Sequence, residues 1–229
     1  MFNLLKILFK SDDLLKTAYE NTAMMLKEDF NMLDISAKAL RFSDKPPLDY
    51  DIYAQDKKIN QFERDVRRQV AAHLAVAHPV DVSAGLALIS IVADVERIGD
   101  YTKNIYELAT AYPRKLTAGN YEEKLIESER IITEKFDKVA RAFASSDTEL
   151  AALVMKEHHS ISGWCDVVVR DMIINPPEDF TTSQAVTLSL YIRHLKRISS
   201  HLTNIVSSVV NPFPRIGYRT KDTETDQDN

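Results

Sequence analysis

The sequence predicts an all-α protein made of two tandem three-helix bundles lying side by side, and three observations carry that prediction. Apolar residues recur at helical spacing over six long segments, and the breakers fall between those segments. Of only five glycines and eight prolines, most prolines group at Pro46-Pro47, Pro176-Pro177 and Pro212 with Pro214. The pattern also restarts halfway along the chain. AKALRFSD at 37–44 matches ARAFASSD at 140–147 with an offset of 103. Ile52, Ile59, Phe62 and Val66 match Val154, Ile161, Trp164 and Val168 with an offset of 102, and Arg97, Ile98, Asn104 and Ile105 match Arg197, Ile198, Asn204 and Ile205 with an offset of 100. Offsets that drift by so little mark a duplicated unit. Finally, 229 residues with 45% hydrophobic and 28% charged side chains are enough to bury a sizeable core.

The elements follow in order. Ser11-Asp12-Asp13 reads as an N-cap region, and Leu14, Leu15, Ala18, Ala23, Met24, Met25, Phe30, Leu33 and Ala37 carry helical spacing to about Phe42. SDKPPLDY ends this helix, because proline disfavours the helical conformation in the residue before it. A second helix runs from about 51 to 76 with Ile52, Ile59, Phe62, Val66 and Val70 on its core face, and His78-Pro79 breaks it. The third, from about 82 to 112, stops at Pro113. The fourth, fifth and sixth span about 120–144, 148–174 and 182–210. Short connections make neighbouring helices antiparallel. The resulting division is an apolar N-terminal segment 1–11, a first repeat 12–113, a second repeat 114–214, and a tail 215–229 expected to be disordered from about Tyr218, where periodicity gives way to Asp, Thr and Gln.

Composition excludes several function classes. A net charge of −5 lacks the basic stripe that general nucleic-acid binding needs. A single cysteine, Cys165, beside Trp164 on an apolar helical face, leaves no internal disulfide and no CxxC site, and fits a reducing, cytoplasmic setting. MFNLLKILFK is interrupted by Asn3 and Lys6 and lacks a small-residue cleavage site, so it is not read as a signal peptide. No stretch reaches the roughly 20 apolar residues of a membrane span. The decamer either docks on the bundle or a second subunit, or makes a short amphipathic contact with a membrane or membrane protein. No phosphate-cradling glycine loop, nucleophile elbow or HExxH is present, so catalysis is not expected.

The chemistry concentrates in ADVERIGDYTKNIYEL, residues 93–108. At about 100° per residue, Glu96, Asp100, Lys103 and Glu107 share one face, and Ile91, Val95, Ile98, Ile105 and Ala109 gather on the other. Carboxylates at i and i+4 can hold one hard cation together, or can serve solubility with Lys103 as an ion-pair partner. The second helix offers Asp56 and Asn60, also i and i+4, with Glu63 nearby. Together, Asp56, Asn60, Glu96 and Asp100 form a candidate oxygen-rich site for Mg²⁺, Mn²⁺, iron or Zn²⁺, which the sequence does not distinguish. The corresponding positions of the second repeat are His158, Ser162, Lys196 and Ser200, and Lys196 puts an ammonium where a carboxylate is required. His158, His159, His194 and His201 all fall in this half, either as replacement nitrogen ligands or as surface and partner-facing side chains.

The duplicated unit, with VERIGDYTKNI closing its first half, resembles the PhoU family of phosphate-signalling regulators, whose hallmark is LERIGD-x-x-x-NI. The resemblance covers residues from about 12 to 212. It implies paired E(D)xxxD motifs that bind metal ions at the bundle surface, with Glu96 and Asp100 matching one motif, Asp56 the start of the other, and Asn60 standing where aspartate is usual. KRISSHLTNI of the second half keeps the Arg, Ile and Asn-Ile frame without the acids, so at most one metal site is expected. The frame's arginine, isoleucine and asparagine read as architectural and the acids as the functional part. The function implied is a non-enzymatic regulator of phosphate uptake or signalling. It would act by docking on a phosphate transporter, of the ABC type or another, or on a sensor histidine kinase, and reach the membrane only through that partner. The alternatives are a metal-binding or metal-storage protein and a purely structural helical adaptor. A homodimer and a monomer fit equally.

Overall fold

The computed structural model describes residues 13–218 apart from positions 45, 48, 77, 78 and 113. The segment 1–11, the stop at Pro113 and the tail beyond Tyr218 therefore lie outside the described residues. Among the described residues six long helices form: α1 Asp13–Phe42, α2 Ile52–Leu74, α3 Pro79–Ala111, α4 Glu122–Ser145, α5 Thr148–Ile174 and α6 Thr182–Val210. The fifth and sixth match expectation to the residue. α3 begins three residues earlier than expected, at Pro79, because a proline at the first helical position gives up an N–H that would be unpaired anyway. α4 begins two residues later, after a 3₁₀ turn at Gly119–Tyr121.

Local chemistry sets the ends. Asp51 caps α2 by accepting from the Ala54 N–H at 3.0 Å, Asp147 caps α5 by accepting from Glu149 and Leu150, and Thr181 caps α6 by accepting from Gln184 at 3.1 Å. Ser146 ends α4 in the left-handed region, φ 52°. Gly119, also at φ 52°, has no room for a side chain, since a Cβ there would lie 2.7 Å from Phe180 Cε1.

α1, α2 and α3 pack on one another, as do α4, α5 and α6, and the two bundles join where α3 lies against α6 with α1 against α4 beside it. The core is continuous across that joint, from Leu15, Met25 and Leu40 through Ile59, Val66, Ile91 and Ile98 to Val139, Val154, Ile192 and Ile198. Burying each such side chain contributes about 1.5–3 kcal/mol. The α1 stripe is narrower than its sequence suggests, because Leu14, Ala23 and Met24 face solvent. Buried polar groups reinforce the joint. The Arg41 guanidinium of α1 donates to Glu129 at 2.8 Å, to Glu122 and to the Leu116 carbonyl, and the Tyr191 hydroxyl of α6 donates to the same Glu129 oxygen at 2.7 Å. Tyr19 stacks on Phe143 and donates to its carbonyl.

Candidate functional site

Asp56 and Asn60 come from α2, Glu96 and Asp100 from α3, and all four are half-buried in the groove between those helices. The acids face the neighbouring helix more than open solvent, and only Glu107 is fully exposed, accepting from the Tyr53 hydroxyl at 3.1 Å. Lys103 holds the group together. Its ammonium donates to Asp56 Oδ1 and Asp100 Oδ1, both at 2.8 Å, so an internal cation bridges the two helices. Burial works against that charge, but the bonds to Asp100 and Asp56 raise the Lys103 pKa above its ordinary value. Asn60 Nδ2 donates to Asp56 Oδ2 at 3.2 Å, fixing the amide as a donor to the aspartate. Burial, then the charges of Asp100, Glu63 and Asp56, push the Glu96 carboxyl upward.

A residue absent from the sequence reading completes the cluster. Asp29 of α1 is 0% exposed, and neither of its carboxylate oxygens has a hydrogen-bond partner among the described residues. Burial raises its pKa well above the usual carboxylate range, and Glu96, Glu28, Asp100 and Asp56 add to the shift. Gly99 makes the space: a Cβ there would lie 3.0 Å from Asp29 Oδ1 and 3.3 Å from Ile59. The signal was present in the chain, because Asp29 sits between Met25 and Leu26 on one side and Met32 and Leu33 on the other, at the centre of the apolar stripe of α1.

The donor set suits a hard cation: mutually repelling carboxylates, one of them buried with no partner, are the oxygen ligands such ions take. The side chains as placed are not a finished metal site. Among the described residues no three His, Cys, Asp or Glu side chains are arranged to hold an ion, and Lys103 stands between the two carboxylates. Asp29, Asp56, Glu96 and Asp100 are the residues that would hold one.

The second repeat has a different solution. Lys196, in the place of Glu96, donates to both oxygens of Asp166 at 2.6 Å, and Ser200, in the place of Asp100, donates to the Lys196 carbonyl at 3.0 Å. Nor are its histidines all at the surface, as the sequence left open. His201 is 2% exposed, with Nδ1 at 2.7 Å from Asp94 Oδ1, which also accepts from Asn204 Nδ2 at 3.0 Å. Its ring stacks on Tyr101, and His194 packs on the same tyrosine. Burial, with Arg193 nearby, lowers the His194 pKa to about 4. The frame is not uniformly architectural either: Ile98, Ile198 and Asn204 are built into the joint, whereas Arg97 is exposed.

A duplicated three-helix unit with a half-buried acidic cluster in one copy defines the class, a tandem helical-bundle protein with one candidate cation site. The PhoU domain family model matches twice, over residues 22–109 and 125–209, and the chain belongs to that family. Among curated relatives, a phosphate-specific transport system accessory protein PhoU homolog of Caulobacter vibrioides is 23% identical over 166 residues, covering 71% of this chain and 72% of its own. A Synechocystis protein of the same description is 24% identical over 190 residues, covering 81% of both. The crystal structure of PhoU from Pseudomonas aeruginosa superposes with a TM-score of 0.74 at 21% identity, covering 86% of this chain and 95% of that one.

Proposed function

We propose that this protein is a non-enzymatic regulator of phosphate uptake and phosphate signalling that works by docking on a membrane partner. The observation that supports the reading most is the double family match together with relatives described as accessory proteins of phosphate-specific transport systems. The proposed partner is a phosphate transporter, of the ABC or another type, or a sensor histidine kinase, met from the cytoplasmic side. Among the described residues no helix is long and apolar enough to cross a membrane, and the proposed route to the membrane is through the partner. The α2–α3 groove, with its clustered carboxylates, is the proposed docking face, and homodimers are compatible with it. Cross-linked capture from phosphate-replete cells, with a Glu96→Ala/Asp100→Ala variant alongside, tests the reading. Recovery of a phosphate transporter or sensor kinase by the native protein, weakened in the variant, is expected; recovery of neither contradicts it.

Asp29 favours a second reading, in which the same groove binds one divalent or iron ion. Its two buried oxygens lack hydrogen-bond partners, a costly state that a cation would relieve. Elemental analysis of protein purified without chelator checks this: about one ion per chain supports it, and none, with stability unmoved by added Mn²⁺, Mg²⁺, Zn²⁺ or iron, removes it.

A further inference from the structure

The duplication places a second, oppositely charged feature where the repeats meet. α3 and α6 cross with equivalent faces together. Asp94 meets His201, and their counterparts in the other repeat, His194 and Tyr101, also meet. Tyr101 and His201, themselves equivalent, stack on each other with centroids 5.7 Å apart. These pairings describe a pseudo-two-fold axis through the crossing. The arginines that the duplication superposes, Arg97 and Arg197, both open onto one cleft of about 400 Å³ at this crossing, lined also by Asp100, Tyr101, Lys103 and Asn104.

The carboxylates at the cleft already have partners. Asp100 accepts from Lys103 at 2.8 Å, and Asp94, behind it, accepts from His201 at 2.7 Å and Asn204 at 3.0 Å. The guanidiniums do not share this. Arg97 is exposed, feels the Glu96 carboxylate beside it in the chain only through charge, and makes no hydrogen bond or ion pair with a described residue. Arg197 donates from Nε to the Tyr101 hydroxyl at 3.1 Å, lies over that ring at 5.7 Å, and brings Nη2 to 3.5 Å from His201 Nε2, but meets no carboxylate. Its fork is oriented by these contacts and its charge is not neutralised. The second repeat has lost the acids of the motif and kept this arginine, so the two belong to separate purposes.

The geometry points to an oxyanion site on the repeat axis, in which Arg97 and Arg197 grip a small anion of the phosphate class from opposite repeats. Guanidinium forks recognise phosphate and carboxylate oxygens with short charge-assisted bonds. A planar carboxylate is satisfied by one fork at one edge. Donors arriving from two helices, with the Asn104 amide in the same lining, suit a tetrahedral ligand that presents oxygens on every side. The site stands on the arginines alone and does not require the docking reading.

Calorimetric titration of the full chain, freed of metal and dialysed, with inorganic phosphate at constant ionic strength tests it. One phosphate per chain is expected, with Arg97→Gln and Arg197→Gln each weakening binding at least about tenfold and Arg68→Gln, an exposed arginine of α2 outside the cleft lining, leaving it unchanged. Arg97 is exposed and makes no hydrogen bond or ion pair with a described residue, so its variant should melt within about 2 °C of the native protein. Should Arg197→Gln fail to fold, Arg197→Lys keeps the charge without the fork and is expected to weaken binding at least threefold. Absence of saturable phosphate binding overturns the inference. So does native affinity in Arg97→Gln, or tighter binding of citrate than of phosphate. No membrane partner is present in the titration, so its failure leaves the docking reading untouched, and loss of docking leaves the titration result standing.

Discussion

The two repeats share a helical frame and bury groups of opposite ionisation, an acid and a base, at corresponding seams. In the first, Asp29 of α1 faces Gly99 of α3, fully buried and with no hydrogen-bond partner among the described residues, beside a carboxylate cluster held by Lys103. In the second, Lys135 of α4 faces Ser199 of α6, equally buried, but donates to the Ser199 carbonyl at 3.0 Å, to its hydroxyl at 3.0 Å and to Thr203 Oγ1 at 2.7 Å. Burial lowers the Lys135 pKa to about 7, while burial raises that of Asp29. One seam is thus internally satisfied and the other is not. A satisfied buried polar group specifies packing, whereas an unsatisfied one is a vacancy for a ligand or a proton.

The largest loss is expected where the joint between the repeats is cut. Asp94→Ala would remove the acceptor of both His201 and Asn204 and is expected to cost about 3 kcal/mol in chemical denaturation, because it strands buried donors. His194→Ala, at the equivalent position, should cost about 1 kcal/mol, since that ring packs on Tyr101 whereas Asp94 accepts two hydrogen bonds. Equal losses would mean that the joint is symmetric in energy as well as in sequence.

Asp29→Asn should move stability the other way, by about +2 kcal/mol at pH 8 in metal-free protein, because it removes a buried carboxyl that must keep its proton at a pH where the unfolded chain releases it. The sign follows from linkage. A carboxyl whose folded-state pKa is raised holds a proton that the unfolded chain releases above about pH 4, so native stability falls as pH rises beyond that point. The asparagine variant should lack that fall in a pH series of denaturation curves. Lys135 works in the opposite sense. Its depressed folded pKa, about 7 against about 10.4 when unfolded, makes stability rise with pH across that interval by about 1 kcal/mol per unit, and Lys135→Met should flatten the rise.

The smallest effect is expected at the pair that replaced the acids. Lys196→Glu would exchange an attractive contact with Asp166 for a repulsive one, but Asp166 is half-exposed, so thermal unfolding should register a loss of about 0.5 kcal/mol.

How much of this was legible depends on the kind of interaction. Helices were readable because periodicity, caps and prolines are local, and α5 and α6 fall where their patterns placed them. The duplication was readable because equivalent core positions carry equivalent side chains. The pairing of Asp56 with Asp100 through Lys103 was half-legible: spacing put Asp100 and Lys103 on one face, but only packing brings α2 to it. Asp29 was visible as an acid in an apolar stripe, yet its cluster lies some 70 residues further along the chain on α3, and helical periodicity carries no information about contacts at that separation. The same holds for His201 and Asp94, whose bond joins residues 107 positions apart.

The proposed cation site lies in the first repeat, where Lys103 is the cation that bridges Asp56 and Asp100 in the structure. Titrating metal-free native protein and the Lys103→Met variant with Mn²⁺ tests this most directly. One ion per chain is expected in both, bound about tenfold more tightly by the variant, because an ammonium no longer competes for Asp56 and Asp100. Two ions per chain, or an affinity that Lys103→Met leaves unchanged, would contradict it.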